Sequence, residues 1–512
     1  MGVDGRDKPG HDGGRRRKIA NCASKPAAIA ESVRPLHFAA QPALPKIRSN
    51  RMSMRSEHDS LGPVDVADDR YWGAQTQRSS QNFRIGERMP IALVHALALV
   101  KQTAARVNNK LGLLKPALAD AIEAAAGRVV AGEFDDHFPL VVYQTGSGTQ
   151  SNMNANEVIA NVANEALGGR RGEYKPIHPN DHVNLGQSSN DSFPTAMSVA
   201  AALRTTEHLL PALKRLQEAF ARKAEEFASI VKIGRTHLQD ATPLTLGDEF
   251  SGYEAQVALG IERIESALKG VYSLAQGGTA VGTGLNAHRD FGRDFAADIA
   301  KTTGLPFITA ANKYEALAGH DALTFLHAAI ANLATSLMKI GDDLRLMASG
   351  PRSGLGEISL PANEPGSSIM PGKVNPTQIE ALTMVCARIM GNHTTMMIAN
   401  SQGRLELNVY KPVIAQAVLQ SIELMADCVD SFTTRCVEGV EAKTARISEL
   451  VERSLMLVTA LAPAIGYEKA ATIARRADDN NTTLREEAMK SGYIDAKTFD
   501  ELTRPETMIG PR

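Results

Sequence analysis

Apolar residues recur along this chain mostly with a helical period. From Pro90, the run Ile91 to Leu114 ("IALVHALALVKQTAARVNNKLGLL") places them three and four apart, which predicts an amphipathic helix opened by the proline. The stretch 191–230 predicts a longer helix, with Asp191 or Ser192 as its cap and Pro194 near its first turn. Pro211 lies inside that pattern and is expected to kink it or split it in two. Further helices are predicted over about 246–269, 315–348, 378–400 and 409–441. Strand-like alternation is scarce. Several helical stretches, such as "LAGHDALTFLHAAIANLATSLMKI", are apolar on more than one face. That pattern predicts an all-α fold whose central bundle of long helices is completed by other copies of the chain.

Composition supports this reading. Aromatic residues make up 5% of the 512 positions while alanine and leucine recur throughout, which suits helix–helix packing. Length and pattern suggest 53–186 as an N-terminal helical domain, 187–444 as the long-helix bundle and 445–512 as a small, more charged C-terminal helical domain. The net charge of −1 gives no global field for nucleic acid or membrane partners. Four cysteines without metal-type spacing fit a reduced, cytoplasmic protein, and no uninterrupted apolar run is long enough to span a bilayer.

The first segment stands apart. Residues 1–55 hold twelve Lys and Arg against four Asp and Glu, so the remainder carries −9 of the overall −1. Residues 1–52 are expected to be disordered. They read as a transit peptide, as a nucleic-acid-binding arm around Arg15, Arg16 and Arg17, or as non-native sequence upstream of a true start at Met52 or Met54. Asp4, Asp7 and Asp12 fit a transit peptide poorly.

Polar, glycine-containing loops interrupt the helices at 145–154, 178–191, 234–244, 276–286 and 366–380. Three familiar motifs fail on context. Gly282 to Ala287 has the form of a dinucleotide fingerprint, but a helical run precedes it where a buried strand is required, so a tight turn is expected. Gly366 to Lys373 imitates a phosphate loop with one residue too many between its glycines and Val374 where a hydroxyl is needed. His178 and His182 have the spacing of a helical metal pair, but Pro179 disfavours helix there and no further ligand joins them.

The loop "GSSIMPGKVNPTQIE" (366–380) carries the sharper chemistry. Glycines and a proline before a helix leave backbone N–H groups available to an anion. Lys373 adds a positive charge and Asn375 adds amide donors. Such a site suits a carboxylate gaining a second negative charge, as when a proton leaves the adjacent carbon. In that setting Ser367 or Ser368 becomes a conceivable base, with turn or capping chemistry as the plain alternative. His237 in "GRTHLQDATPL" can pass a proton near neutral pH, and Glu380 could raise its basicity. Ser147, Thr149, Ser188, Ser189 and Asn190 add short neutral donors suited to a small dicarboxylate.

These residues resemble the fumarase/aspartase superfamily, and within it the class II fumarases. "GSSIMPGKVNP" is the superfamily signature; "WGAQTQRS", "TGSGTQSNMN", "GQSSND", "GRTHLQDATPLTLG" and "SLMLVTAL" are similar to family segments, from Arg55 to the C-terminus. The resemblance implies a homotetramer, active sites drawing loops from three subunits, and reversible hydration of fumarate to L-malate without metal or other cofactor. It implies Ser367 as the base at C3 of malate, and His237, assisted by Glu380, as the group activating water. Ser368, Lys373, Val374, Asn375, Thr236, Ser147, Gly148, Thr149 and Ser188 to Asn190 become substrate contacts. His178, Pro179, Asn180 and Asp181 resemble a second dicarboxylate site, altered here by His182, Leu185 and Gly186. Aspartate ammonia-lyase is the close alternative; Gly372, Ser189 and "DATPLTLG" lean toward water as the leaving group. A purely structural role would be expected to damage the site, whose residues are all present.

Overall fold

The computed structural model describes residues 53–510; the expectation for 1–52 lies outside them. The chain begins with an antiparallel hairpin, β1 (Met54–Asp59) and β2 (Gly62–Ala67), followed by helices α1 (Ala74–Asn82), α2 (Ile91–Lys110), α3 (Pro116–Val130) and α4 (Thr149–Ala166). Pro90 is the N-cap of α2, as its sequence suggests. The long pattern that follows divides into α5 (Ser189–Arg204) and α6 (Leu210–Glu226), joined by one wide helical turn at Thr205–Leu209. Pro211 directly follows that wide turn in an unbroken helical backbone, and the widened turn accommodates its ring and its missing N–H. The cap of α5 is Ser188, not Asp191 or Ser192. Asp191 instead closes a capping box by accepting the Ser188 N–H.

The segment 234–244, read from sequence as a polar loop, belongs to a β-hairpin. Strands β3 (Val231–Thr236) and β4 (Gln239–Thr245) pair antiparallel, with a register shift between Ile233 and Arg235. Helix α7 (Leu246–Val271) starts at once from a Thr245–Asp248 capping box. After α8 (Phe291–Thr303), the predicted 315–348 helix divides into α9 (Lys313–Ala318) and α10 (Asp321–Met347). The break lies at Gly319 and His320, whose N–H is captured by the Asn400 side chain at 2.7 Å. Helices α11 (Thr377–Asn400) and α12 (Lys411–Arg435) complete the bundle.

Helix α10 packs on α7 and α11, and α12 packs on α11 and α6. Leu326, Ile330, Leu337 and Ile340 of α10 and Ile414, Val418 and Ile422 of α12 are fully buried in one continuous core. By length and mean hydropathy α10 and Lys411–Gly439 could each cross a membrane, although neither is an uninterrupted apolar run. Half or more of each is buried within the bundle. A second, smaller core gathers Val451, Leu461, Ile473, Leu484 and Phe499 of the C-terminal helices and takes in Ile233 of β3. The hairpin therefore touches the second core through its base and leaves its tip free.

Candidate active site

The β3–β4 hairpin turns on two residues, His237 and Leu238, with φ of 56° and 61°. Two left-handed residues in succession make the turn that matches strand twist, normally built from Asn and Gly. A histidine and a leucine there are strained, and such strain collects at functional sites. Both side chains are exposed. The base is held firmly: Arg235 donates two 3.0 Å hydrogen bonds to the buried Glu357 carboxylate, which also pairs with Lys232 at 3.2 Å. Lys232 pairs in turn with Glu249 of α7 at 2.7 Å. A rigid stem thus presents the imidazole outward.

The loop before α11 folds on itself. Gly366 donates its N–H to the Lys373 carbonyl at 3.0 Å, and Asn375 Nδ2 donates to the Gly366 carbonyl at 2.7 Å. A Cβ at Gly366 would lie 2.2 Å from the Lys373 oxygen, so only glycine closes this loop. Ser367 Oγ accepts the N–H groups of Ile369 and Met370 at 3.3 and 3.1 Å. Two N–H dipoles aimed at one hydroxyl oxygen favour negative charge there. Ser367 and Lys373 line a surface cavity of about 380 Å³ with Val374 and Gly372. Ser368 is exposed beside them, and Glu380 is exposed in the first turn of α11.

The remaining residues gather at the starts of α4 and α5. Ser147 Oγ and Thr149 Oγ1 share a hydrogen bond of 2.8 Å across Gly148. Gly148 has φ 76°, and a Cβ there would fall 2.2 Å from the Phe193 ring. Ser189 Oγ accepts from Asn152 Nδ2 at 3.1 Å, and Asn190 Nδ2 donates to the Ala280 carbonyl at 2.8 Å. The Asn190 contact pins the glycine-rich 276–286 loop, where Gly282 and Gly284 take positive φ as a tight turn requires. His178 caps a wide helical turn at Pro179–Val183, its Nδ1 accepting the N–H groups of Asn180 and Asp181 at 3.3 Å. His182 Nδ1 accepts the His178 N–H at 2.9 Å, so the two histidines bond through backbone.

Within the chain, then, the sequence-derived residues form three groups: the α4–α5 loops, the hairpin tip with Thr236 and His237, and the 366–380 segment. Among the described residues no hydrogen bond or ion pair joins one group to another, and none links His237 to Glu380.

Residues 62–391 match a family described as Lyase, and residues 457–510 match one described as Fumarase C C-terminus. A protein of Methylorubrum extorquens named fumarate hydratase class II is 66% identical over 458 residues, covering 89% of this chain and 97% of the relative. A Bradyrhizobium diazoefficiens protein named fumarate hydratase class II 2 is 63% identical, over 91% and 99% of the two chains. The crystal structure of a recombinant class II fumarase from Schistosoma mansoni superposes with a TM-score of 0.87 at 46% identity, covering 89% of this chain and 99% of that one.

The chain belongs to the class II fumarate hydratases.

Two buried lysines of this fumarate hydratase fold stand outside the set of residues that the sequence motifs pick out. Lys101 and Lys411 are completely buried beside the α4–α5 loops. The signal for Lys101 was present, because it follows Leu97 and precedes Ala104 in phase on an otherwise apolar face of α2.

Proposed function

We propose that this chain hydrates fumarate reversibly to L-malate in the cytoplasm, as a homotetramer. In the dehydrating direction Ser367 Oγ, as alkoxide, takes the C3 proton of malate. The adjacent carboxylate becomes an aci-carboxylate dianion held by Lys373, Ser368, Asn375 and the loop N–H groups. His237, paired with Glu380, gives a proton to the departing C2 hydroxyl, and water leaves on the opposite face. Hydration runs the same steps backwards. Thr236, Ser147, Thr149 and Ser188–Asn190 hold the second carboxylate. The chain's own side chains supply base, acid and cation, so these steps call for no cofactor, nucleic acid or membrane.

The observation that carries this reading is the pair of N–H groups on Ser367 Oγ, on the same short loop as Lys373. It favours Ser367 over Ser368 as the base. Assembly from several protomers brings the three groups together. Its support is the lack of any hydrogen bond or ion pair between them among the described residues of one chain, and the exposed Phe325 of α10 and Met384, Met397 and Ile398 of α11. His178 to Asp181 would form a second dicarboxylate site, with His178 Nε2 left for the ligand. The test is loss of the ultraviolet absorbance of fumarate on adding purified protein. Consumption in water alone is expected. Consumption only with added ammonia makes the protein an aspartate ammonia-lyase, and no consumption in either overturns the reading.

A further inference from the structure

Behind the Ser188–Asn190 turn, one buried carboxylate faces three amines. Asp191 is fully buried, and its oxygens accept the N–H groups of Ser188, Gly277 and Thr279 at 2.9, 3.0 and 2.9 Å. No lysine hydrogen-bonds to it among the described residues. Lys101 of α2 donates instead to the neutral oxygens of Asn184 and Gln187, both at 2.9 Å. Lys313 of α9 donates to the Leu274 carbonyl and Thr309 Oγ1, both at 2.6 Å. Lys411, at the start of α12 and 0% exposed, has no hydrogen-bond partner for Nζ among the described residues.

Asp191 is the carboxylate that acts electrostatically on all three amines. Burial pulls Lys101 down to about 7, Lys313 to about 8 and Lys411 to about 7. His320, before α10, also faces Lys411; burial and that amine hold it neutral, down to about 3. The cluster abuts the candidate site. Asn184 Oδ1, which holds Lys101, also accepts from Asn152 Nδ2, the donor to Ser189 Oγ. The Lys411 N–H donates to the carbonyl of Gly146, next to Ser147. Three amines against one carboxylate leave the interior short of negative charge, and a bound dianion would supply it.

We propose that the buried Lys101 and Lys411, with the half-buried Lys313, form a cationic platform beneath the dicarboxylate site, and that a dicarboxylate dianion binds with proton uptake by these amines. The proposal rests on the reading of the site given above. A dianion raises the amine pKa values, so protons enter on binding and affinity weakens as pH rises from 7 to 9.

The test is calorimetric titration of the full chain with succinate, which has neither double bond nor hydroxyl to react. At pH 8, in buffers of different ionisation enthalpy, uptake of about one proton per site is expected, with Kd rising up to about tenfold per pH unit. Lys411→Met and Lys101→Met should each reduce the uptake and flatten the Kd–pH curve. His237→Asn, a change at an exposed position, should keep both. No uptake by the unaltered protein overturns the proposal, as does its loss in His237→Asn or its full retention in both lysine variants. Fumarate turnover by the same preparation separates the two ideas. Turnover without uptake removes the platform alone, whereas neither turnover nor succinate binding removes the functional reading as well.

Discussion

At the scale of single residues, the proposed reaction divides between Ser367 and His237. Removing one acid–base partner costs about 10²–10⁴ in rate. Ser367→Ala and His237→Asn should therefore each lower kcat by about that factor, read as initial rates of fumarate loss, with helical circular dichroism unchanged. His237 is exposed and Ser367 half-buried within the chain, and neither belongs to a hydrophobic core, so neither change disturbs one. Lys411 behaves in the opposite way. Its buried amine has no partner, so Lys411→Met should raise stability at pH 7 by about 1–4 kcal/mol, measured by denaturant unfolding. The sign with pH follows from the lowered pKa. Folding holds the amine near 7 against 10.5 in the unfolded chain. The wild-type penalty is therefore full below pH 7 and gone above about 10.5, and the variant's advantage should shrink across that range. Stability given up at such a position points to a functional use.

Among elements, the β-hairpins are what the sequence hid, β1–β2 at the start and β3–β4 beside the candidate site. "GRTHLQDATPL" carries glycine, proline and polar residues but no Asn-Gly at the turn, so alternation and turn chemistry both read as loop. What fixes the hairpin is distant in sequence: Glu357 grips Arg235, and Ile233 enters the C-terminal core. Helices were more legible, because Pro90, Pro211 and the 3.6-residue period act locally. The split at Gly319–His320 was not, since the Asn400 side chain that stabilises it lies 80 residues away. The GSS loop was legible as chemistry but not as shape; the two N–H groups on Ser367 Oγ follow from a fold that sequence spacing does not reveal. Arg235→Ala tests the element. It strips a bidentate partner from a buried glutamate and should cost about 3 kcal/mol or more, seen as a lowered Tm. It should also slow turnover through a loosened His237.

For the whole molecule, one protomer holds every candidate residue yet leaves the three groups unconnected, and its long helices keep Phe325, Met384 and Met397 exposed. On the proposed reading, neighbouring copies complete the site. Size-exclusion chromatography with light scattering should give about four times the 54.8 kDa chain mass. The most direct measurement is complementation between two inactive variants. Ser367→Ala and His237→Asn chains, differently tagged, are co-expressed and hybrid tetramers isolated. If Ser367 and His237 of one site come from different protomers, random hybrids should recover about a quarter of wild-type activity, from sites that draw both intact residues. Hybrids as inactive as the parent variants would contradict a site shared between subunits.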